Sequence, residues 1–402
     1  MPLNNYEKLK ETLNLQVAID WLINDVKDDF YPDPIRFADI KKYKDDYLTQ
    51  RQHRLLQIDS VKYHKEYIPK KSSMLREAIW LHPTHRILYL AILYHFFEQL
   101  DPQLLPCSFA FRCNIDADQD DYPFNKKIEG WKQFKNNYRN AAVQPSMKAI
   151  LVTDLSSYYD HISCEEMSRR IHNLLGSTIS RENRLVLNKL KELLTLWSND
   201  SYGIPQNHDP SSFLGNLYLH NIDHEMSALG YRYFRFVDDI RVVTETKEQA
   251  ILALHNLQRA LLKHRLFLAT EKTHIYTRED PKFNEELDVT DDVVLSEAER
   301  TINKGCYDEM EALVDELFIH LEKHAGRDGE DRKFRAYSNR LLNAAQYSEI
   351  RGAVIPKLHE FAIPRLKSHP YRSDSWVKML RVEPSSDVVT VIQELLVDKP
   401  SI

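Results

Sequence analysis

The sequence predicts an α+β fold, on three observations. Residues Ala149–Tyr276 alternate between patterns, in the order strand, helix, loop, helix, hairpin, helix, strand. The chain before about Leu100 reads as largely helical, with an irregular stretch around Val61–Leu75. Beyond Tyr276 it turns polar and acidic across Glu279–Glu299 and then becomes helical again.

Each element has a local reason. Thr84 is suited to cap a helix His85–Leu100 that is apolar almost all round, and therefore buried. Ala149–Thr153 reads as a strand ending in Asp154. Asp209 as N-cap and Pro210 at the first helical position start a helix with Phe213, Leu214 and Leu217 on its apolar face. Tyr231–Phe236 and Ile240–Thr244 are the arms of a β-hairpin. Thr246 with Gln249 forms a capping box before the stripe Ala250, Leu254, Leu257 and Leu261. Met310, Leu313, Val314, Leu317, Phe318 and Leu321 mark an amphipathic helix. Another follows over Lys333–Gln346 and carries Lys333, Arg335 and Arg340. From Ile350 the tail reads as short helical pieces divided by Pro356, Pro364, Pro370 and Pro384.

A chain of 402 residues with 43% hydrophobic content suggests about two to three structural units with ample core. Its most apolar stretch, Ile87–Phe97, is too short to span a bilayer and is interrupted by Tyr94 and His95. The start, Met1-Pro2-Leu3-Asn4-Asn5-Tyr6-Glu7, has no basic run leading into an apolar core, so no secretory signal is expected. Cys107, Cys113, Cys164 and Cys306 form no Cys-x-x-Cys pair, which argues against structural zinc and for reduced thiols in a cytoplasm. The net charge of −6 points away from indiscriminate nucleic-acid binding. A local basic cluster remains in Lys126, Lys127, Lys132, Lys135, Arg139 and Lys148; it reads either as a solvated loop or as part of a basic channel.

The candidate site centres on Phe236-Val237-Asp238-Asp239, between the hairpin arms. Two adjacent carboxylates at a turn repel each other. By themselves they read as a solvated turn, or as a pair kept to hold a cation. If the strand ending in Asp154 pairs with the hairpin, three carboxylates converge. Such a cluster suits two Mg²⁺ ions roughly 3.5–4 Å apart.

Between the acids lie Gly203-Ile204-Pro205-Gln206 and Ser211-Ser212-Phe213-Leu214-Gly215-Asn216-Leu217-Tyr218-Leu219, with Asp223. Together with Asp154-Leu155-Ser156-Ser157-Tyr158-Tyr159-Asp160, this resembles the palm of a bacterial reverse transcriptase. The likeness is nearest to the group II intron, retron and defence-associated (abortive-infection and unknown-group) lineages. Ile68-Pro69-Lys70-Lys71 with Arg76, His82-Pro83 with Arg86, and Ser108-Phe109-Ala110-Phe111-Arg112 resemble the finger blocks. Glu271-Lys272-Thr273-His274-Ile275 resembles the strand after the palm hairpin. Any one block is weak, and the ordered set is specific.

The resemblance implies a right-hand polymerase of fingers, palm and thumb with helical N-terminal and C-terminal regions. Residues 1–148 would be helical region and fingers, 149–280 the palm with a helical insert at about 165–200, and 281–402 the thumb and C-terminal helices. It implies RNA-directed DNA synthesis with two Mg²⁺, for which Mn²⁺ substitutes. Asp154, Asp238 and Asp239 would be the catalytic acids, and the Leu155 carbonyl would complete one coordination sphere. Tyr159 matches a steric gate favouring dNTPs, against the plainer role of a core aromatic. Gln206 would contact the incoming nucleotide, or serve only as a turn residue. Lys70, or Lys71 in another register, and Arg76 would grip the triphosphate. Lys272 would stand near the leaving pyrophosphate, or be merely solvated. The implied partners are an RNA template (a non-coding RNA), a DNA product or primer, dNTPs, and a second copy or second defence protein; no membrane is implied.

The sequence also departs from the family. Asn207 stands where glycine usually follows the glutamine, Ser211-Ser212 replaces Ser-Pro, and Phe236 replaces a common tyrosine. The retron histidine near Asn140-Ala141-Ala142 is missing, and no room is expected for an RNase H domain. The altered loop keeps two alternatives open: template-independent or protein-primed DNA synthesis by the same acids, and a catalytically idle RNA-binding scaffold.

Overall fold

The computed structural model describes residues 3–25, 37–56, 63–69, 74–114, 122–176, 178–288, 290–304, 307–325, 331–369 and 372–398. Internal packing divides the chain into two units, residues 1–66 with 78–287 and residues 67–77 with 288–402. The helices are α1 (Leu3–Thr12), α2 (Leu15–Asp25), α3 (Ala38–Lys42), α4 (Lys44–Leu56), α5 (Pro83–Leu100), α6 (Lys127–Ala142), α7 (Cys164–Leu174), α8 (Arg181–Trp197), α9 (Asp209–Ala228), α10 (Lys247–Leu262), α11 (Pro281–Leu287), α12 (Thr290–Lys304), α13 (Tyr307–Ala325), α14 (Asp331–Ala344), α15 (Ser348–Ser368), α16 (Ser373–Leu380) and α17 (Ser386–Asp398). The strands are β1 (Tyr63–Pro69), β2 (Leu75–Leu81), β3 (Ala149–Thr153), β4 (Leu155–Ser156), β5 (Arg232–Phe236), β6 (Asp239–Thr244), β7 (Phe267–Leu268) and β8 (His274–Thr277).

The first unit is built on an antiparallel sheet in the order β5-β6-β3-β8, with β4-β7 as a separate short pair. Ala149, Ile150 and Leu151 of β3 are buried, as a central strand requires. Residues 107–109 extend the sheet beyond β5: Phe109 N donates to Arg235 O at 3.0 Å and Arg235 N to Cys107 O at 2.8 Å. Helix α6 lies close against this extension at Gly130. A Cβ there would stand 2.4 Å from the Phe109 carbonyl oxygen. Gly130→Ala should therefore destabilise the fold by about 1–3 kcal/mol through overpacking, read as a lowered denaturant midpoint.

The buried helix expected at His85–Leu100 is α5, which starts two residues earlier, at Pro83. The cap is His82, whose ring accepts from Thr84 N, in place of the expected Thr84. Inside the same core Trp197 Nε1 donates to His85 Nδ1 at 3.2 Å. Burial, with His82 nearby, pushes the His85 imidazole down to about 4. Because the unfolded chain takes up this proton first, stability present above pH 6.5 is lost as pH falls toward 4, by about 2–3 kcal/mol. Urea midpoints should fall over that window, and His85→Gln should flatten the slope.

Several expectations are corrected. The stretch taken as irregular around Val61–Leu75 holds β1 and the start of β2; its polar His64-Lys65-Glu66 run hides the strand alternation. Helix α9 begins at Asp209 with His208 as its N-cap residue, and no side chain caps it. Asp209 is instead buried, and its carboxylate is held by Lys127 Nζ at 2.9 Å and by the Tyr122 hydroxyl. A buried carboxylate is stabilised better by a cation and a hydroxyl than by an exposed capping geometry. The Thr246 cap on α10 is as expected, although Gln249 Oε1 accepts from Glu245 N instead of Thr246 N.

The second unit has its own core, in which Leu317, Leu321, Tyr337, Leu341, Leu358 and Trp376 are fully buried. Here α15 runs unbroken through Pro356 and Pro364, which were expected to divide the tail. Burial of Val354, Leu358 and Ala362 on that helix outweighs the lost backbone donors. Among the described residues no helix is long and apolar enough to cross a membrane.

Candidate active site

The sheet register brings the expected acids together. Thr153 of β3 pairs with Ile240 of β6, so Asp154, one residue further, lies beside the start of β6. Phe236 pairs with Asp239 across the hairpin, leaving Val237 and Asp238 as a two-residue turn. Asp239 is thus the first residue of β6, with Asp238 just before it. Val237 has φ +56°, a left-handed conformation that strains a β-branched residue. Of the two turn residues only the first has positive φ, as in a type II′ turn.

Asp154 is 8% exposed, and its carbonyl accepts from Ala269 N at 2.8 Å. Lys272 Nζ stands 2.8 Å from Asp154 Oδ2. Burial lowers the Lys272 pKa, but Asp154, with Asp238 and Asp239 adding to it, more than reverses this and leaves it raised. All three acids therefore lie within electrostatic reach of one ammonium. Leu155 opens β4 and pairs with Leu268 of β7. Among the described residues no three His, Cys, Asp or Glu side chains stand close enough to hold a metal ion as they are. In this arrangement it is the Lys272 cation that partners Asp154.

Tyr159 lies on the 3-10 turn Tyr158–His161 that follows β4, and its ring is buried. Its hydroxyl is 3.0 Å from Ser212 Oγ on α9. Burial raises the Tyr159 pKa, and the Asp238 charge adds to that shift. The Gly203–Gln206 loop is joined to this turn: Ile204 N donates to Tyr159 O at 3.1 Å and Gly203 N to Ile162 O at 2.9 Å. Gly203 has φ +92°, a backbone conformation that favours glycine. Gln206 is half-buried in the turn that follows, and Asn207 has φ +71°.

A family model described as reverse transcriptase (RNA-dependent DNA polymerase) matches residues 68–322. The chain belongs to the reverse transcriptase family. Its α+β fold is that of a right-hand polymerase. Among solved structures it is similar to apo telomerase from Candida tropicalis truncated from its C-terminal domain. That likeness has 13% identity and a TM-score of 0.37 over 60% of this chain. The chain spans 56% of that structure's length. No curated protein matches the sequence.

In this reverse transcriptase the Phe236–Asp239 hairpin rests on a buried network that the motifs did not reveal. Arg235, fully buried, binds both carboxylate oxygens of Asp223, Nε to Oδ1 at 2.9 Å and Nη2 to Oδ2 at 2.6 Å. Its Nη1 donates to Asn216 Oδ1 at 2.8 Å and to the Val237 carbonyl at 3.1 Å. The guanidinium thus reaches from α9 to the strained residue next to Asp238. The available signal was an arginine inside an otherwise aromatic strand, Arg232-Tyr233-Phe234-Arg235-Phe236. Phe236 itself packs on Trp131, with ring centroids 5.1 Å apart.

A second buried network supports the start of α9. Asp25 accepts from Arg86 Nη1 at 3.2 Å and from Asp209 N at 3.1 Å, and His208 Nδ1 lies 3.6 Å away. Burial works to raise the Asp25 pKa, yet His208 and Arg86 hold it below its ordinary value. The reverse transcriptase's basic cluster is partly structural. Lys127 is paired with Asp209, Lys135 is buried over Trp131, and Arg139 Nε donates to Glu286 O at 3.2 Å. The residues expected to grip the triphosphate are Lys70 or Lys71 with Arg76. Lys70 and Lys71 lie outside the described residues, and Arg76 is on β2 in the 67–77 segment grouped with the second unit.

Proposed function

We propose that this reverse transcriptase copies RNA, specifically a partner non-coding RNA, into DNA from dNTPs at a two-Mg²⁺ site, in bacterial antiphage defence. The observation that carries the chemistry is the β3–β6 register, which sets Asp154 beside the Asp238–Asp239 hairpin. The antiphage role rests on the sequence resemblance alone. Asp154, Asp238, Asp239 and the Leu155 carbonyl would hold the ions, oxygen donors throughout as Mg²⁺ requires, with Mn²⁺ as a substitute. The Lys272 ammonium, 2.8 Å from Asp154 Oδ2, supports this reading because it marks a cation-accepting position. When bound, the ions lower the pKa of the primer 3′-hydroxyl and neutralise charge on the α-phosphate.

The chain's own residues would do the rest. Tyr159 excludes a 2′-hydroxyl, Gln206 contacts the incoming nucleotide, and Lys272 stands by the leaving pyrophosphate. Lys70 or Lys71 with Arg76 grips the triphosphate, where a guanidinium fork suits phosphate oxygens. Residues 149–280 serve as palm with the 165–200 helices as an insert, residues 1–148 as N-terminal region and fingers, and residues 281–402 as thumb and C-terminal region. A second copy or a second defence protein completes the assembly. Template-independent synthesis drew its support from the altered Asn207–Ser212 loop. Asn207 at φ +71° adopts the conformation a glycine would supply, so that support weakens.

Purified protein given Mg²⁺, dNTPs and its co-purifying RNA should make DNA complementary to that RNA. Asp238→Ala combined with Asp239→Ala should abolish it. Random or repetitive products would overturn the template, and activity surviving the double change would overturn the acids. Tyr159→Ala should raise ribonucleotide incorporation by on the order of 10- to 100-fold, measured by single-nucleotide extension. An unchanged ratio would remove Tyr159 from the gate.

A further inference from the structure

Two hydroxyls join the turn carrying Tyr158 and Tyr159 to α9. Tyr158 donates to the Gly215 carbonyl at 2.6 Å, and a Cβ on Gly215 would meet the Tyr158 ring at 3.1 Å. Tyr158 is thus clamped against the helix, and its ring centroid lies 5.3 Å from that of Tyr159. Tyr159 is fixed separately, at its far end, by Ser212 Oγ at 3.0 Å. Ser212 Oγ also lies 3.3 Å from the His208 carbonyl, which can only accept. The single serine proton goes to that carbonyl, so Tyr159 O–H is the donor to Ser212 Oγ. Burial keeps the phenol protonated for this role. Ser212 is 4% exposed and Tyr159 7%, so water competes little for either hydroxyl.

We infer that Ser212 is a positioning residue for sugar selection: through the chain Tyr159 O–H to Ser212 Oγ to His208 carbonyl, it holds the Tyr159 ring rigid against a ribose 2′-hydroxyl. This rests on Tyr159 being the gate. A steric gate discriminates only as far as its ring cannot yield, and an unanchored ring in a staggered rotamer well can move aside for one oxygen atom.

The test compares kcat/KM for a dNTP with that for the matching rNTP in single-nucleotide extension. Ser212→Ala and Tyr159→Phe should each lower the dNTP preference by about 5-fold, the worth of one buried neutral hydrogen bond. The double variant should lose no more than either single one, because both remove the same bond. A purely structural role for Ser212 would depress both nucleotides alike and leave the ratio unchanged, and that result overturns the inference. Should Ser212→Ala fail to fold, Tyr159→Phe alone still decides, since an unchanged ratio in it is equally fatal. Tyr159→Ala separates the two readings. If it leaves the ratio unchanged the gate itself is wrong. If it shifts the ratio while Ser212→Ala and Tyr159→Phe do not, only the anchor is wrong.

Discussion

Asp154→Asn should lower DNA synthesis by on the order of 10³-fold, while moving the thermal midpoint by about 2 °C or less. On the proposed two-metal reading, the exchange keeps the shape and removes one anionic ligand, at a site that would supply several kcal/mol of transition-state charge stabilisation. One of its partners in the fold is Lys272, whose side chain is 54% exposed. An ion pair with one exposed member contributes about 0–1 kcal/mol to stability, so the fold survives its loss. Single-turnover extension and a melting curve on the same preparation separate the two effects. Near-normal extension by a folded variant would remove Asp154 from the reaction.

Asp223→Ala should destabilise the first unit by about 3–5 kcal/mol, because it strands a fully buried guanidinium without its counter-charge. Arg235 is 0% exposed and Asp223 1% exposed. Burial works against the Arg235 charge, and Asp223 more than compensates, raising its pKa. The same variant should impair extension beyond what partial unfolding explains, since the Arg235 bond to Val237 O supports the hairpin that carries Asp238. Replacing both partners, Asp223→Leu with Arg235→Met, should recover most of the stability, as matched apolar pairs commonly do. It should not recover activity. A denaturant series on the three proteins, with extension assayed under native conditions, checks both statements. A fully active double variant would show that the hairpin needs no such support.

Much of this protein was legible in order along the chain. Asp154 after an apolar strand, the Gly203–Gln206 loop and Asp238-Asp239 between two apolar arms are local signals. They survive folding because strand alternation and turn chemistry are short-range. The hairpin and the α5 helix lie where the periodicity put them, within two residues. What misled was equally local. Asp209 looks like a cap in sequence, yet once buried its carboxylate bonds to Lys127 and Tyr122, the former 82 positions away. Pro356 and Pro364 look like breaks, yet the packing of α15 in the second core outweighs them.

By itself, then, the sequence determined the family and the order of its blocks, and it named Asp154, Asp238 and Asp239 as candidate acids, because these depend on residue type and spacing alone. Only the tertiary structure decided that Thr153 faces Ile240, that Lys272 neutralises Asp154, that Arg235 supports the Val237 turn and that Ser212 holds Tyr159. Each of these contacts joins residues on different elements, and their side chains meet only once the sheet register and the seating of α9 are set. Residue type tells which groups need partners, and three-dimensional packing chooses them.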